Sequence, residues 1–380
     1  MTLDNPVIYL DHAATTSPKQ EVVSIYRQAL QDYFYNPSSV HQAGTRTSRA
    51  LEQARQDILN DLHLGDDYNL IFTSGASESN NLAIKGFANR YKTRGKHIIS
   101  TSFEHPSVTK ALEALKKDGF EITYLTTNNG RIDLDELNNV IREDTILISI
   151  IAVNNEVGFI QDIKGIRKVI NDHPKIKLHI DAVQALGKIA INYALADLIT
   201  FSLHKIGGLK SSGLLIKKKT IDLLPLIDGG GQENGLRSGT NDVPLALASA
   251  QAIKLAVADI NKAYEHCYEL AKVLYDYLAE HEDIFEINSS IDNPFIINFS
   301  FINRKASVFV EALSARGIMV ASQSACSSRN DKGSYTLINI GKSSQIAKNA
   351  IRVSIDESNT LQEVEIFINT LNQLLKEIRG

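Results

Sequence analysis

Short apolar runs alternate with helix-period stretches through the first two thirds of the chain. Runs of strand length occur at Leu70–Thr73, His97–Ser100, Glu121–Leu125, Ile146–Val153, Lys177–Ile180, Leu198–Ser202 and Gly213–Ile216. Between several of them, helical patterns cover Glu78–Tyr91, Ser107–Lys117, Leu134–Ile141 and Ile163–Ile170. Strands joined by helix-length segments need crossover connections, which predicts a mostly parallel sheet with helices on both faces. Such sheets bind ligands at the carboxyl ends of their strands, so polar residues just after these runs are the first candidates for a site.

From Asp242 to His281 the pattern turns helical for a long stretch, with Cys267, Leu270, Ala271, Leu274 and Leu278 on one face. A strand over Phe295–Phe301, a helix over Ser307–Arg316, a strand near Ile351–Ile355 and an amphipathic helix over Leu361–Ile378 follow. This part reads as a second, smaller α+β domain, with the long helix as the joint.

Composition narrows the class. The 380 residues carry 40 Lys plus Arg against 44 Asp plus Glu, a net charge of −4, and the longest basic run is Lys217-Lys218-Lys219. A primary nucleic-acid ligand is not expected from that balance. The most apolar stretch, Thr145–Val153, has strand length, so no membrane span is expected. No basic residue precedes Lys19, which argues against a signal peptide. Two cysteines, Cys267 and Cys326, make neither a disulfide framework nor a four-thiolate metal site. A soluble, cytoplasmic protein with reduced thiols is the expectation, with no metal. The glycines at 229–231 and 235 miss the dinucleotide spacing, and Gly341-Lys342-Ser343 lacks the upstream glycine of a phosphate-binding loop.

Six places are candidates for chemistry. Thr73-Ser74-Gly75-Ala76-Ser77-Glu78 ends a strand and starts a helix, where free backbone N–H groups suit an anion, although a plain helix cap fits as well. Asp181, before Ala182-Val183-Gln184, puts a carboxylate at a strand end, able to hold a cationic ring nitrogen, a metal or an arginine. Ser202-Leu203-His204-Lys205 brings a lysine to the next strand end, able to form a Schiff base or clamp a phosphate. Cys326 sits among Ser324, Ala325, Ser327 and Ser328 in a polar segment with no apolar helical neighbours, a better nucleophile candidate than Cys267. Arg352, inside an apolar strand, suits a carboxylate ligand or an internal ion pair. His105, after another strand end, serves a cap or catalysis equally well.

Nine segments in order resemble the NifS/IscS-like cysteine desulfurases, pyridoxal-phosphate enzymes of the class V aminotransferase type. They are 9–16 (YLDHAATT), 36–41 (NPSSVH), 73–78 (TSGASE), 104–106 (EHP), 154–158 (NNEVG), 181–184 (DAVQ), 202–205 (SLHK), 229–233 with 237–240 (GGGQE, RSGT) and 324–328 (SACSS). The resemblance implies an α/β chain of the PLP-dependent transferase fold type I. Its large domain, 15–255, would carry a mostly parallel seven-stranded sheet, and a smaller α+β domain would comprise 1–14 and 256–380.

The resemblance also implies site roles, with pyridoxal 5'-phosphate as cofactor. Lys205 would carry it and move the Cα proton of the substrate. Asp181 would pair with the pyridine nitrogen, Gln184 with the phenolic oxygen, and His105 would stack on the ring beside Asn155. Ala76, Ser77, Ser202 and His204 would hold the phosphate, with Thr240 reaching it from the other subunit of a homodimer. Arg352, with Asn36, would bind the carboxylate of L-cysteine. Cys326 would receive the sulfur as a persulfide, leaving L-alanine, and pass it to a protein acceptor serving iron–sulfur clusters or tRNA thiolation. Cys326 and Arg352 stand 26 positions apart, similar to the longer-loop branch of the family. Leu203, His12 and the turn Gly207–Ser212 depart from the usual pattern without removing a catalytic group. The alternatives are another class V enzyme, such as an aminotransferase or a selenocysteine lyase, and a catalytically silent dimeric scaffold.

Overall fold

The computed structural model describes residues 7–128, 130–322 and 333–378. Its centre is a seven-stranded sheet in the spatial order Tyr68–Thr73, Gly213–Lys218, Leu198–Ser202, Lys177–Asp181, Thr145–Ile151, His97–Thr101, Glu121–Leu125. All neighbouring pairs are parallel except those made by Gly213–Lys218, which runs antiparallel to both of its neighbours. Every residue of Thr145–Ile151 and Leu198–Ser202 is buried, as continuous apolar runs require when helices cover both faces. All seven expected strands are present. Because Gly213–Lys218 is reversed, its beginning lies at the carboxyl ends of the others, adding Ser211 and Ser212 to that edge.

The smaller sheet is antiparallel, in the order Phe285–Ile287, Ile296–Phe301, Ala350–Ser354. The N-terminal segment is tied to this part. Ile8–Tyr9 pairs in parallel with Ile318–Met319, and Asp11 bridges to Ser354.

Several elements differ from the pattern-based expectation. The helix expected from Glu78 begins at Ala76 and includes a wider turn at Leu82–Gly86 before Phe87–Tyr91. The long stretch after Asp242 is two helices, Val243–Val257 and Ile260–Ala279, bent by 64°. Asp259 breaks the run because its carboxylate caps the second helix by accepting the Lys262 N–H. Helices Gln20–Asp32 and Gln42–Asp61, packed on Val243–Val257, have no counterpart in the pattern. Small or polar residues such as Gly44, Thr47 and Ala54 fill part of the buried face of the second, so its apolar signal is weak. No single helix among the described residues is long and apolar enough to cross a membrane.

Candidate active site

A cavity of about 610 Å³ opens at the carboxyl edge of the large sheet. The strands Tyr68–Thr73, His97–Thr101 and Thr145–Ile151 deliver part of its wall through the residues that follow them. Ser74 to Glu78 come from the first turn of the helix at Ala76, His105 from the turn after His97–Thr101, and Asn155 from the segment after Thr145–Ile151. Asp181 ends its own strand, Gln184 follows within a tight turn, and Ser202, His204 and Lys205 close the next. Arg352 enters from the smaller sheet. Of the expected residues, Ala76, Ser77, His105, Asn155, Asp181, Gln184, Ser202, His204, Lys205 and Arg352 therefore line one cavity.

Asn36 and Thr240 lie elsewhere. Asn36 is exposed, and its side-chain oxygen accepts the Ser38 N–H at 2.8 Å. Thr240 lines a smaller cavity of about 240 Å³ beside Ser74 and Arg237. Cys326 falls outside the described residues, but both flanks of its segment are anchored beside the cavity. Ala321 exchanges backbone hydrogen bonds with Arg352, and the Ser334 hydroxyl donates to Glu156, next to Asn155.

Asp181 is 2 % exposed, so its charge must be met locally. Its Oδ2 accepts from Asn80 Nδ2 at 2.8 Å and its Oδ1 from the Val183 N–H at 3.2 Å. Asn80 also donates to the Ser107 hydroxyl at 2.9 Å, and that hydroxyl lies 2.8 Å from His105 Nδ1. The Ser107 N–H donates to the same Nδ1, which makes it an acceptor and leaves the neutral ring's proton on Nε2. Burial lowers the His105 pKa. The Lys205 ammonium acts in the same direction against the Asp181 and Glu156 carboxylates, and the ring stays neutral. His105 also caps the helix Pro106–Lys117, so the capping and cavity roles coincide in one residue.

Lys205 donates to the Ala13 carbonyl at 2.7 Å and to the Ala14 carbonyl. The 13–14 segment is held in turn by the Ser354 hydroxyl, which accepts the Ala13 N–H at 2.9 Å, and by Gln184 Nε2, which donates to the Ala13 carbonyl at 2.9 Å. Arg352, 2 % exposed, donates from Nη1 to the Asn155 carbonyl at 2.7 Å and from Nη2 to Asp11 at 2.8 Å. Its Nε is buried and has no partner among the described residues, so the guanidinium is fixed at the cavity wall through Nη1 and Nη2. At the opposite wall no side chain caps the helix that starts at Ala76, which leaves its first amides free for an anion. Burial raises the Glu78 carboxyl, but hydrogen bonds from Ser74 and Arg237 outweigh it and hold the group below its ordinary value. Burial, with Lys205, Lys210 and Lys188 nearby, pushes His204 down to about 4.

The sequence reading gave no role to Asn80, Ser107 or Glu104. Asn80 stands three positions after Ser77 in the same helix, and that spacing is the signal that puts it on the cavity side. Glu104 accepts from the Thr101 hydroxyl at 2.6 Å and the Ile151 N–H at 2.9 Å, linking two strand ends. Burial, opposed by those hydrogen bonds and aided by Asp181, pushes its carboxyl up to about 8. No group of three or more metal-ligating side chains is assembled among the described residues.

Residues 8–367 match the family model described as Aminotransferase class-V. The chain belongs to that family. Within it, the chain is 39% identical over 383 residues to a protein of Buchnera aphidicola named cysteine desulfurase IscS, covering 98% of this chain and 94% of the relative. A protein of the same name from Dictyoglomus turgidum is 37% identical over 377 residues, covering 98% and 95%. A solved NifS-like protein superimposes with a TM-score of 0.91 at 32% identity, covering 98% of this chain and 100% of that one. Another, from Rickettsia africae, has a TM-score of 0.86 at 31% identity, covering 98% and 100%. A structure titled SspA in complex with cysteine is similar at a TM-score of 0.80 and 33% identity, covering 93% and 100%. The chain therefore shares its overall fold with NifS-like proteins.

Proposed function

We propose that this class-V chain is a cysteine desulfurase that converts L-cysteine to L-alanine and takes up the sulfur on Cys326. The observation that carries the reading is the single cavity lined by Lys205, Asp181, Gln184, His105 and Arg352. Relatives of nearly full length named cysteine desulfurase, and a similar structure titled as holding cysteine, support it.

The donor set fits pyridoxal 5'-phosphate. An amine, a buried carboxylate and an uncapped helix start line the wall of one cavity, matching the aldehyde, the ring nitrogen and the phosphate of that molecule. When bound, the cofactor supplies an electron sink that makes the Cα–H of an amino acid acidic. Asp181, oriented by Asn80, would keep a proton on the ring nitrogen. Gln184 would donate to the phenolic oxygen. Ala76, Ser77, Ser202 and His204 would hold the phosphate. Lys205 Nζ would carry the cofactor and move the Cα proton. Arg352 would bind the substrate carboxylate, with the neutral His105 and Asn155 beside it in the same cavity.

The sulfur step balances without an added oxidant. A bond forms between Cys326 Sγ and the substrate sulfur as the substrate C–S bond breaks. The products are alanine and a Cys326 persulfide, formed from one cysteine and one enzyme thiol. A protein acceptor serving iron–sulfur clusters or tRNA thiolation then removes the outer sulfur. A second copy of the chain would cover the exposed Phe34 and Val40, 68% and 100% accessible in one protomer, and bring Thr240 to the phosphate site of its partner. The division into 15–255 and 1–14 with 256–380, and a cytoplasmic setting, belong to the same reading.

Alanine release from L-cysteine by the loaded protein, beside Cys326→Ala, tests it. Wild type forming alanine while the variant loses most of the activity and forms no persulfide supports the reading. Equal activity of both points to another class V reaction that uses Lys205 and Asp181 without Cys326.

A further inference from the structure

Beside the main cavity lies a second one of about 170 Å³. Lys205 lines both, and the second is also lined by His12, Lys188 and Asp356. Lys188 is 5 % exposed, an uncommon position for a lysine, and it belongs to none of the roles assigned above. Its ammonium donates to Gln184 Oε1 at 3.1 Å. The two side chains meet because tight turns run from Ala182 to Ile189 and Gly187 takes a φ of 71°, which brings residues four apart together.

We infer that Lys188 is a positioning residue for the cofactor site: by donating to Gln184 Oε1 it fixes which end of that amide faces the cavity. An amide has a donor end and an acceptor end. Here Oε1 accepts from Lys188, and Nε2 donates one N–H to the Ala13 carbonyl, leaving its second N–H for a ligand. A flip would set Nε2 against an ammonium and Oε1 against a carbonyl, opposing donor to donor and acceptor to acceptor. The Ala13 carbonyl alone is a weaker lock, because it also accepts from Lys205 and is shared whenever Lys205 moves. Lys188 touches only the far end of the amide and holds it whatever Lys205 is doing.

Burial and nearby charges act on Lys188 in opposite directions. Burial lowers Lys188 to about 8, the Asp356 carboxylate opposes that fall, and the Arg352 guanidinium adds to it. From the helix Ile260–Ala279 it faces Cys267, whose thiol burial pushes up to about 12 and so keeps uncharged. Asp356 is itself engaged by His12 at 2.8 Å, and hydrogen bonds from His12 and Ser358 outweigh its burial and bring it to about 2.

The inference rests on the reading that Gln184 donates to the phenolic oxygen of the cofactor, and a double-mutant cycle separates the two. The readout is the pH midpoint of the visible absorbance band of the loaded protein, measured without substrate. Losing a donor to that oxygen disfavours its charged form, so Gln184→Leu raises the midpoint, by about one unit. Lys188→Met, close to lysine in shape but lacking the donor, raises it by part of that amount, and adding Lys188→Met to Gln184→Leu changes nothing further. Lys188→Leu repeats the measurement should the methionine variant fail to yield folded, loaded protein. Equal shifts by Lys188→Met with and without Gln184 mean that lysine acts through its charge and overturn the inference. No shift by Lys188→Met while Gln184→Leu shifts the band overturns it alone. No shift by Gln184→Leu overturns the Gln184 reading and this inference with it.

Discussion

The large sheet buries polar side chains in two places, its interior and its carboxyl edge, and treats them in opposite ways. In the interior, His179 lies between the Ser149 hydroxyl at 2.8 Å and the Thr200 hydroxyl at 3.1 Å, and His97 lies between Thr145 and Thr123. Both rings have each nitrogen engaged by a neighbouring strand. At the edge, among the described residues, His105 engages only Nδ1 with Ser107, and no side chain caps the helix at Ala76, which keeps its first amides free. A buried polar group whose every bond is met holds strands together. One with a bond to spare, facing a cavity, is equipped for a ligand.

The largest effect expected from that contrast is at the edge. Lys205→Ala should lower alanine release from L-cysteine by about 1000-fold or more while leaving the thermal midpoint nearly unchanged. Loss of fold with loss of activity would erase the distinction. His179→Phe should do the reverse, lowering stability by about 1–3 kcal/mol because the Ser149 and Thr200 hydroxyls lose their partner, with unchanged activity per folded molecule. Urea unfolding beside the alanine assay reads both quantities.

A smaller effect comes from pH. Burial brings His179 down to about 3, against about 6.5 in the unfolded chain. Between those values the unfolded state binds a proton that the folded state does not, so stability is fully present above pH about 6.5 and falls as pH drops. The slope is at most about 1.4 kcal/mol per pH unit from this group, and His179→Phe should flatten it in urea titrations at pH 6 and 5. An unchanged slope would assign the acid sensitivity elsewhere. Smallest of all is Cys267→Ala. This thiol is fully buried in the apolar core, so the variant should lose about 1 kcal/mol of stability and keep its full sulfur-releasing activity, unlike Cys326→Ala.

The edge was more legible in the sequence than the interior, and for a physical reason. Asp181, Lys205 and Ser74 to Glu78 stand directly after apolar runs, so strand period alone brings them to one end of a parallel sheet. His179 sits inside such a run and His97 opens one, where a polar residue looks like an interruption until the hydroxyls opposite it are known. The groups that orient the site were hidden for a related reason. Asn80 reaches Asp181 across 101 positions and Gln184 reaches Ala13 across 171, and no local pattern encodes partners so far apart.

The helices Gln20–Asp32 and Gln42–Asp61 were lost to a third cause. Part of their buried face is built from small residues, which pack closely without leaving an apolar signature. The bend at Asp259 shows the converse: the pattern continues through it, but the capping carboxylate ends one helix and begins another.

The sequence by itself determined the strand-and-helix alternation, the class of sheet and the identity of the groups at the strand ends, because these follow from chain period and local capping. Only the tertiary structure decided that Gly213–Lys218 runs backwards and adds Ser211 and Ser212 to the site. It alone decided that Arg352 is held between Asp11 and Asn155, and that Lys188 stands behind Gln184. Those arrangements depend on contacts between segments distant in sequence, whose geometry exists only once the two sheets and the N-terminal segment have packed.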